Sequence, residues 1–228
     1  MQYLLPKASC YKLFLVCCLL LPLAGFLRAD WDFPLVTQRT EQLYGPAAPE
    51  ARRRINEWQA LLTAQRNAGE QQQLEAVNRF FNDRLLFRDD RVIWNQGDYW
   101  ASPIEALRKG AADCEDYAIA KYLTLRQLGV ASEKLRITYV KALRLNQAHM
   151  VLTYYPTPTA IPLVLDNLTG KIQPATQRTD LLPVYSFNGE GLWLPGASGN
   201  KRVGDSKRLS RWQALLTKMR AEGFSIEE

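Results

Sequence analysis

The chain has 228 residues, of which 47% are hydrophobic and 23% charged, enough apolar content for one domain with a real core. A formal net charge of +6 and a pI near 9.2 suggest a nucleic-acid partner, and four cysteines suggest disulfides. The N-terminal segment supplies much of both signals, and without it neither survives.

That segment, "MQYLLPKASCYKLFLVCCLLLPLAGFLRAD", sets Lys7 and Lys12 ahead of an uncharged run from Leu13 to Phe26. The run is too short for the roughly 20 residues of a transmembrane helix. Residues 1–29 are expected to be a secretory signal peptide cut near Ala29, a retained anchor being the alternative. The mature chain, residues 30–228, is expected to be exported and not membrane-spanning. Cys10, Cys17 and Cys18 leave with the signal, as do Lys7, Lys12 and Arg28. That leaves 26 basic residues against 23 acidic ones, a net near +3 that supports no nucleic-acid footprint. Cys114 and His149 become the only cysteine and the only histidine.

Along the mature chain, residues 30–48 read as an irregular lead-in with proline and glycine breaks. Ile55, Trp58, Leu61 and Leu62 follow helical spacing over 49–66, and Gly69 ends that helix. Leu74, Val77, Phe80, Phe81 and Leu85 predict a second helix over 70–87. Residues 88–103, rich in Trp, Asp and Gly, read as a loop or short strand. Ser102, Pro103 and Glu105 then spell a capping box with proline in the first turn, and Gly110 closes that short helix. "DCEDYAIAKYLTLRQLG" (113–129) predicts a core helix. β-Branched and aromatic runs follow at 135–143, 148–155 and 161–168, with a further pair, "PVYSF" and "GLWLP", around Asn188-Gly189. An amphipathic helix over 206–224 ends the chain, and its "WQALLT" repeats that of 58–63, two helices with similar buried faces. Helices first and antiparallel strands after make an α+β fold in a single domain, 30–228.

The chemistry centres on "GAADCEDYAIAKY". Cys114 falls in the first turn of the core helix, His149 near the start of one strand, and Asp166 near the end of the next. A thiol hydrolase needs these groups: a thiolate to attack, an imidazole to move protons, and a carboxylate to orient the imidazole. A helix N-terminus and a neighbouring imidazolium both lower a thiol pKa. Asp113, Glu115 and Asp116 work against that, since three carboxylates hold the proton on. Read structurally, Asp113 caps the helix, Asp116 completes a capping box and Glu115 complements the helix dipole. Read functionally, the three offer clustered oxygens to a bound Ca²⁺ that offsets their charge. One Cys and one His make a poor zinc set. For the oxyanion, the Cys114 N–H is a natural donor, with Trp94, Asn95 or Trp100 as candidates for a second. An inert buried cysteine or an intermolecular bridge is the alternative to catalysis.

"DYWASPIEALRKGAADCEDYAIAKYLTLRQLG", "NQAHMVL" and "LVLDNL" together resemble the bacterial transglutaminase-like cysteine proteinases, in particular the periplasmic LapG-type proteases that clip large biofilm adhesins. The resemblance covers about residues 45–222. It implies a papain/transglutaminase-like fold, with N-terminal helices and a central Cys-bearing helix packed on an antiparallel β-sheet. It also implies Cys114 as nucleophile, His149 as base and Asp166 as orienting carboxylate, with calcium dependence through Asp113 and Glu115 and less surely Asp116. The implied partners are a large repeat adhesin as substrate, cut at a small-residue site such as Ala-Ala, and a sequestering inner-membrane cyclic di-GMP receptor of the LapD type. A transglutaminase or amidase on the same fold, or a non-catalytic calcium-binding adaptor, are the competing readings. Ala112 departs from the family's usual "GxGDCED", so its turn must form without a positive φ.

Overall fold

The computed structural model describes residues 30–196 and 200–226; the expected signal peptide, with Cys10, Cys17 and Cys18, lies outside them. Residues 30–48, expected to be irregular, contain a helix, α1 (Phe33–Tyr44). The breaks that suggested a loop are its end signals. Asp32 caps it by accepting from the Leu35 N–H at 3.0 Å, Pro34 sits in its first turn, and Gly45 terminates it at φ 78°. Helix α2 (Pro49–Gln65) and helix α3 (Glu70–Arg84) follow where periodicity put them. Trp58 of α2 is the hub of this layer. It is fully buried, packs against Trp31, Phe33, Phe81 and Phe224, and donates its indole N–H to the Thr124 hydroxyl at 3.0 Å. Truncating such a residue costs about 3–5 kcal/mol.

The segment 88–103 holds a one-turn helix, α4 (Asp90–Ile93), and otherwise loops, where a loop or short strand was expected. The two-residue strand β1 (Leu86–Phe87) before it pairs in parallel with β2 (Ala111–Ala112). Between them, α5 (Pro103–Lys109) starts on the expected capping box: the Ser102 hydroxyl accepts from the Glu105 N–H, and Glu105 accepts from the Ser102 N–H at 2.9 Å. Gly110 ends α5 at φ 70°. Ala112 pairs with Phe87, fully buried and without a positive φ, so this chain needs no glycine there.

Helix α6 (Cys114–Gln127) is buried continuously from Asp116 to Leu125, the pattern of a helix enclosed on all sides. It lies on a seven-stranded antiparallel sheet in the order β6-β5-β4-β3-β7-β8-β9. These strands are β3 (Leu135–Ala142), β4 (Gln147–Tyr154), β5 (Leu163–Leu165), β6 (Gln173–Pro174), β7 (Leu181–Phe187), β8 (Leu192–Leu194) and β9 (Lys201–Gly204). β6 and β9 are short edge strands that the sequence did not announce. β5 covers only the middle of the run 161–168. Alternation along β3 and β4 turns Leu135, Ile137, Met150 and Leu152 toward α6, in the main core. Helix α7 (Ser210–Ala221) closes the fold, burying Trp212, Leu215, Leu216 and Met219. Trp212 matches the buried Trp58, so the repeated hexamer marks two similar core faces.

Candidate active site

Asp113 precedes α6 and Cys114 is its first residue, so the sulfur sits where unpaired helix N–H groups converge. The N–H of Met150 on β4 donates to the sulfur, which brings α6's first turn against the residue next to His149. His149 and Asp166 are 3% and 1% exposed, and His149 Nε2 lies 2.8 Å from Asp166 Oδ1. The Asp166 carboxylate is thoroughly partnered. Oδ1 also accepts from the Leu168 N–H at 3.1 Å, and Oδ2 accepts from Arg178 Nη2 at 2.7 Å. Asn82 of α3 donates to the Asp166 carbonyl at 2.8 Å, fixing the backbone as well. Burial alone raises this carboxyl's pKa, but His149, Leu168 and Arg178 outweigh it and hold it at about 2. With Nε2 occupied by Asp166, the other ring nitrogen, Nδ1, is the one left to exchange a proton with a thiol.

The thiol's remaining surroundings are hostile to its ionised form. Cys114 Sγ donates to Glu115 Oε2 at 3.1 Å. Burial, then Glu115 and Asp113, push its pKa far above the ordinary thiol range, with only the Met150 N–H acting in the opposite direction. Asp113, Glu115 and Asp90 of α4 each place a carboxylate oxygen within 4.8 Å of the others. Burial pushes Asp113 up to about 10, helped by Asp116, Glu115 and Asp90, and pushes Asp90 up to about 6. One oxygen of each, Asp90 Oδ1 and Asp113 Oδ1, is buried with no hydrogen-bond partner among the described residues. Buried acceptors facing other carboxylates, with no donor to satisfy them, fit a hard cation with oxygen ligands.

Asp116 stands outside this trio. Its carboxylate accepts from the Ala101 N–H at 2.7 Å and from the Asp113 N–H at 3.4 Å, the reach-back half of a capping box. Asp90 takes the third place in the cluster, and Arg178 is the second partner of Asp166; sequence reading picked out neither. Asp90 lies in the acidic "RDDR" stretch, a faint signal, whereas nothing local marks Arg178. Of the oxyanion candidates, Trp100 stacks on Phe187 against the core and Trp94 packs on Tyr99, with its indole N–H buried and unpartnered among the described residues. Asn95 is exposed, at φ 55°.

The sequence profile of the bacterial transglutaminase-like cysteine proteinases (BTLCP) matches residues 51–185. The structure of LapG from Legionella pneumophila superposes with a TM-score of 0.70 at 45% identity, over 82% of this chain and 96% of that one. Its EGTA-treated form gives 0.71 at 45% identity over the same shares, and its calcium-bound form 0.68 at 46% over 80% and 97%. Among curated proteins no match is found. The chain belongs to the bacterial transglutaminase-like cysteine proteinases and has their α+β fold.

Proposed function

We propose that this member of the family is a calcium-dependent periplasmic cysteine endopeptidase that cuts the N-terminal region of a large surface adhesin and so promotes biofilm dispersal. The observation that carries the reading is the buried His149–Asp166 pair, with Met150, the residue after His149, giving its N–H to the sulfur of a cysteine at a helix N-terminus. Cys114 passes its proton to His149 and its sulfur attacks the scissile carbonyl carbon. The C–N bond then breaks, and His149 returns the proton to the departing amine. Water, deprotonated by His149, splits the resulting thioester and restores the thiol. Asp166 holds the imidazole in the required tautomer and balances its charge, while Arg178 and Leu168 hold Asp166. The Cys114 N–H is the oxyanion donor we assign from α6.

Asp90, Asp113 and Glu115 are the residues that would hold calcium. The ion supplies positive charge that offsets these carboxylates and favours the thiolate. Asp116, engaged with two backbone N–H groups, is assigned to shaping the turn that presents Cys114. The calcium-bound LapG structure supports a metal in this family. The adhesin substrate, the periplasmic location and a cyclic di-GMP receptor of LapD type as sequestering partner are part of the proposal, carried over from the resemblance to LapG-type proteases.

The test is cleavage of an adhesin N-terminal fragment by the purified protein, with calcium and with EGTA. Cleavage only with calcium is expected. Incorporation of an added amine without cleavage would move the assignment to a transglutaminase. Alkylation of Cys114 no faster than free cysteine at neutral pH, with calcium present, would leave a non-catalytic adaptor.

A further inference from the structure

The sheet face turned away from α6 carries a cavity of about 540 Å³, within the ~300–1,000 Å³ usual for ligand pockets. Its floor is Val140, Val151 and Val164, a small apolar cluster separate from the main core. Arg136 forms one wall. Its guanidinium lies 4.5 Å from the Tyr155 ring centroid and 4.3 Å from that of Trp193, a two-sided aromatic clamp. The residue is only 9% exposed, its Nε is buried without a hydrogen-bond partner among the described residues, and no carboxylate is in ion-pair range among them. Burial accordingly lowers its pKa, opposed only by Tyr155. A cation on the wall of an open cavity, flanked by two aromatic rings and with no carboxylate in ion-pair range among the described residues, is suited to receive an anion.

Position says which anion. Arg178 lines the same cavity, 6% exposed and with Nη1 also unpartnered among the described residues, while its Nη2 holds Asp166. On the β3–β4 ladder Val140 faces His149 and Arg136 faces Thr153, with no irregularity between them. The alternation therefore puts the cavity and His149 on one face of the sheet, four residues apart, or about 13 Å at ~3.3 Å per residue. We infer that this cavity is an exosite for the polypeptide substrate, in which an acidic side chain pairs with Arg136 while flanking apolar residues cover the valine floor. The inference rests on the endopeptidase reading above and adds to it a substrate class: peptides with a Glu or Asp at least four residues from the scissile bond. The Thr138–Val151 pair lies between the Arg136–Thr153 and Val140–His149 pairs on this ladder.

Sixteen-residue peptides with one central Ala-Ala test this, with a single Glu walked through the outer positions and Gln at the same place as control. One position is expected to give a kcat/KM about tenfold higher for Glu than for Gln, carried by KM. Arg136→Gln is expected to reduce that ratio to about one; because the comparison is made on the substrate side, it survives poor folding of the variant. Fluorescent versions of the same peptides, bound to the Cys114→Ala protein and read by anisotropy, report the exosite without any cleavage. A tenfold Glu preference in binding sustains the exosite even where no peptide is cut, in which case the endopeptidase assignment falls alone. Peptides that are cut with no Glu preference at any position overturn the exosite and leave the protease standing. Laurate displacing a cavity probe that no Glu peptide displaces would assign the site to a lipid-like carboxylate and overturn the inference.

Discussion

Two groups of carboxylates make up the candidate site, and they are opposites. Asp166 meets a histidine, a backbone N–H and an arginine, and its pKa is held at about 2 in spite of burial. Asp113 and Asp90 meet each other and Glu115, keep an unsatisfied oxygen apiece, and are driven up to about 10 and about 6. Loss of water raises all three of Asp166, Asp113 and Asp90, so it cannot be what separates them. What differs is the company each keeps: Asp166 has a histidine, an arginine and a backbone N–H against it, whereas Asp113 and Asp90 face other carboxylates.

The most damaging break is on the Asp166 side. Asp166→Asn keeps the shape but replaces an acceptor with a donor toward His149 or Arg178. Cleavage is expected to fall about 10³-fold or more, given that the equivalent loss in the serine-protease triad costs ~10⁴-fold. Arg178→Met should cost less, about 10-fold to 100-fold, because His149 and Leu168 still hold Asp166. Steady-state kinetics on a fluorogenic peptide measures both. Arg178→Met as active as wild type would mean that the arginine serves only the fold.

On the Asp113 and Asp90 side the sign of an effect should depend on calcium. For the wild type, saturating calcium is expected to raise Tm on the order of 10 °C at pH 8 and to speed iodoacetamide alkylation of Cys114 at least tenfold. Asp113→Asn removes a carboxyl that must take up a proton to be buried beside Glu115 and Asp90, so it should raise Tm in calcium-free buffer at pH 8 and lower it when calcium is present. Asp90→Asn should abolish the calcium response of alkylation, although Asp90 is 24 positions from the cysteine. Asp116→Asn is the control: its carboxylate serves the Ala101 and Asp113 N–H groups and lies outside the trio, so its effect on Tm should have the same sign in both buffers. An Asp113→Asn effect of the same sign in both buffers would sink the donor-deficit account.

The same contrast explains what could be read from the sequence. The pairing of His149 with Asp166 was legible because one is the mature chain's only histidine and the other ends the next strand, while periodicity gave α2, α3, α6 and α7 and the capping box gave α5. Helix α1 was not, because Pro34 and Gly45 were taken as breaks when they are its start and stop signals. β6 and β9, two and four residues long, have too little pattern to detect. Arg178 and Asp90 were hidden for a different reason. Each matters only through a contact made by the fold, Arg178 with Asp166 and Asp90 with Asp113 and Glu115. Types of chemistry are written locally, but the completeness of a charge's environment is a property of tertiary structure.

Glu222 gives the smallest and cleanest sharpening, since it is an intermediate case far from the thiol in its bonding. Tyr44 and Ser102 hydroxyls donate to Oε1 at 2.8 Å and 2.7 Å, while Oε2 is buried without a partner among the described residues. Half supplied with donors, it should lie between the two extremes, and burial pushes it up to about 7 from an ordinary 4.5, with Glu105 adding to the rise and Ser102, Tyr44 and Lys218 opposing it. A carboxyl whose folded pKa is raised binds an extra proton on folding. Its contribution to stability is whole below about pH 4.5 and is lost as pH rises through about 7. The span from 4.5 to about 7 is worth up to about 3 kcal/mol. Glu222→Gln cannot titrate, so wild type minus variant isolates this one group, and Asp90 and Asp113 cancel because both proteins carry them. The difference in Tm should move by a few degrees against the wild type between pH 4.5 and pH 8.5, read by differential scanning calorimetry at fixed calcium. Parallel curves would mean that two hydroxyl donors are enough to keep a buried carboxylate ionised, and the donor count that separates Asp166 from Asp113 would lose its middle point.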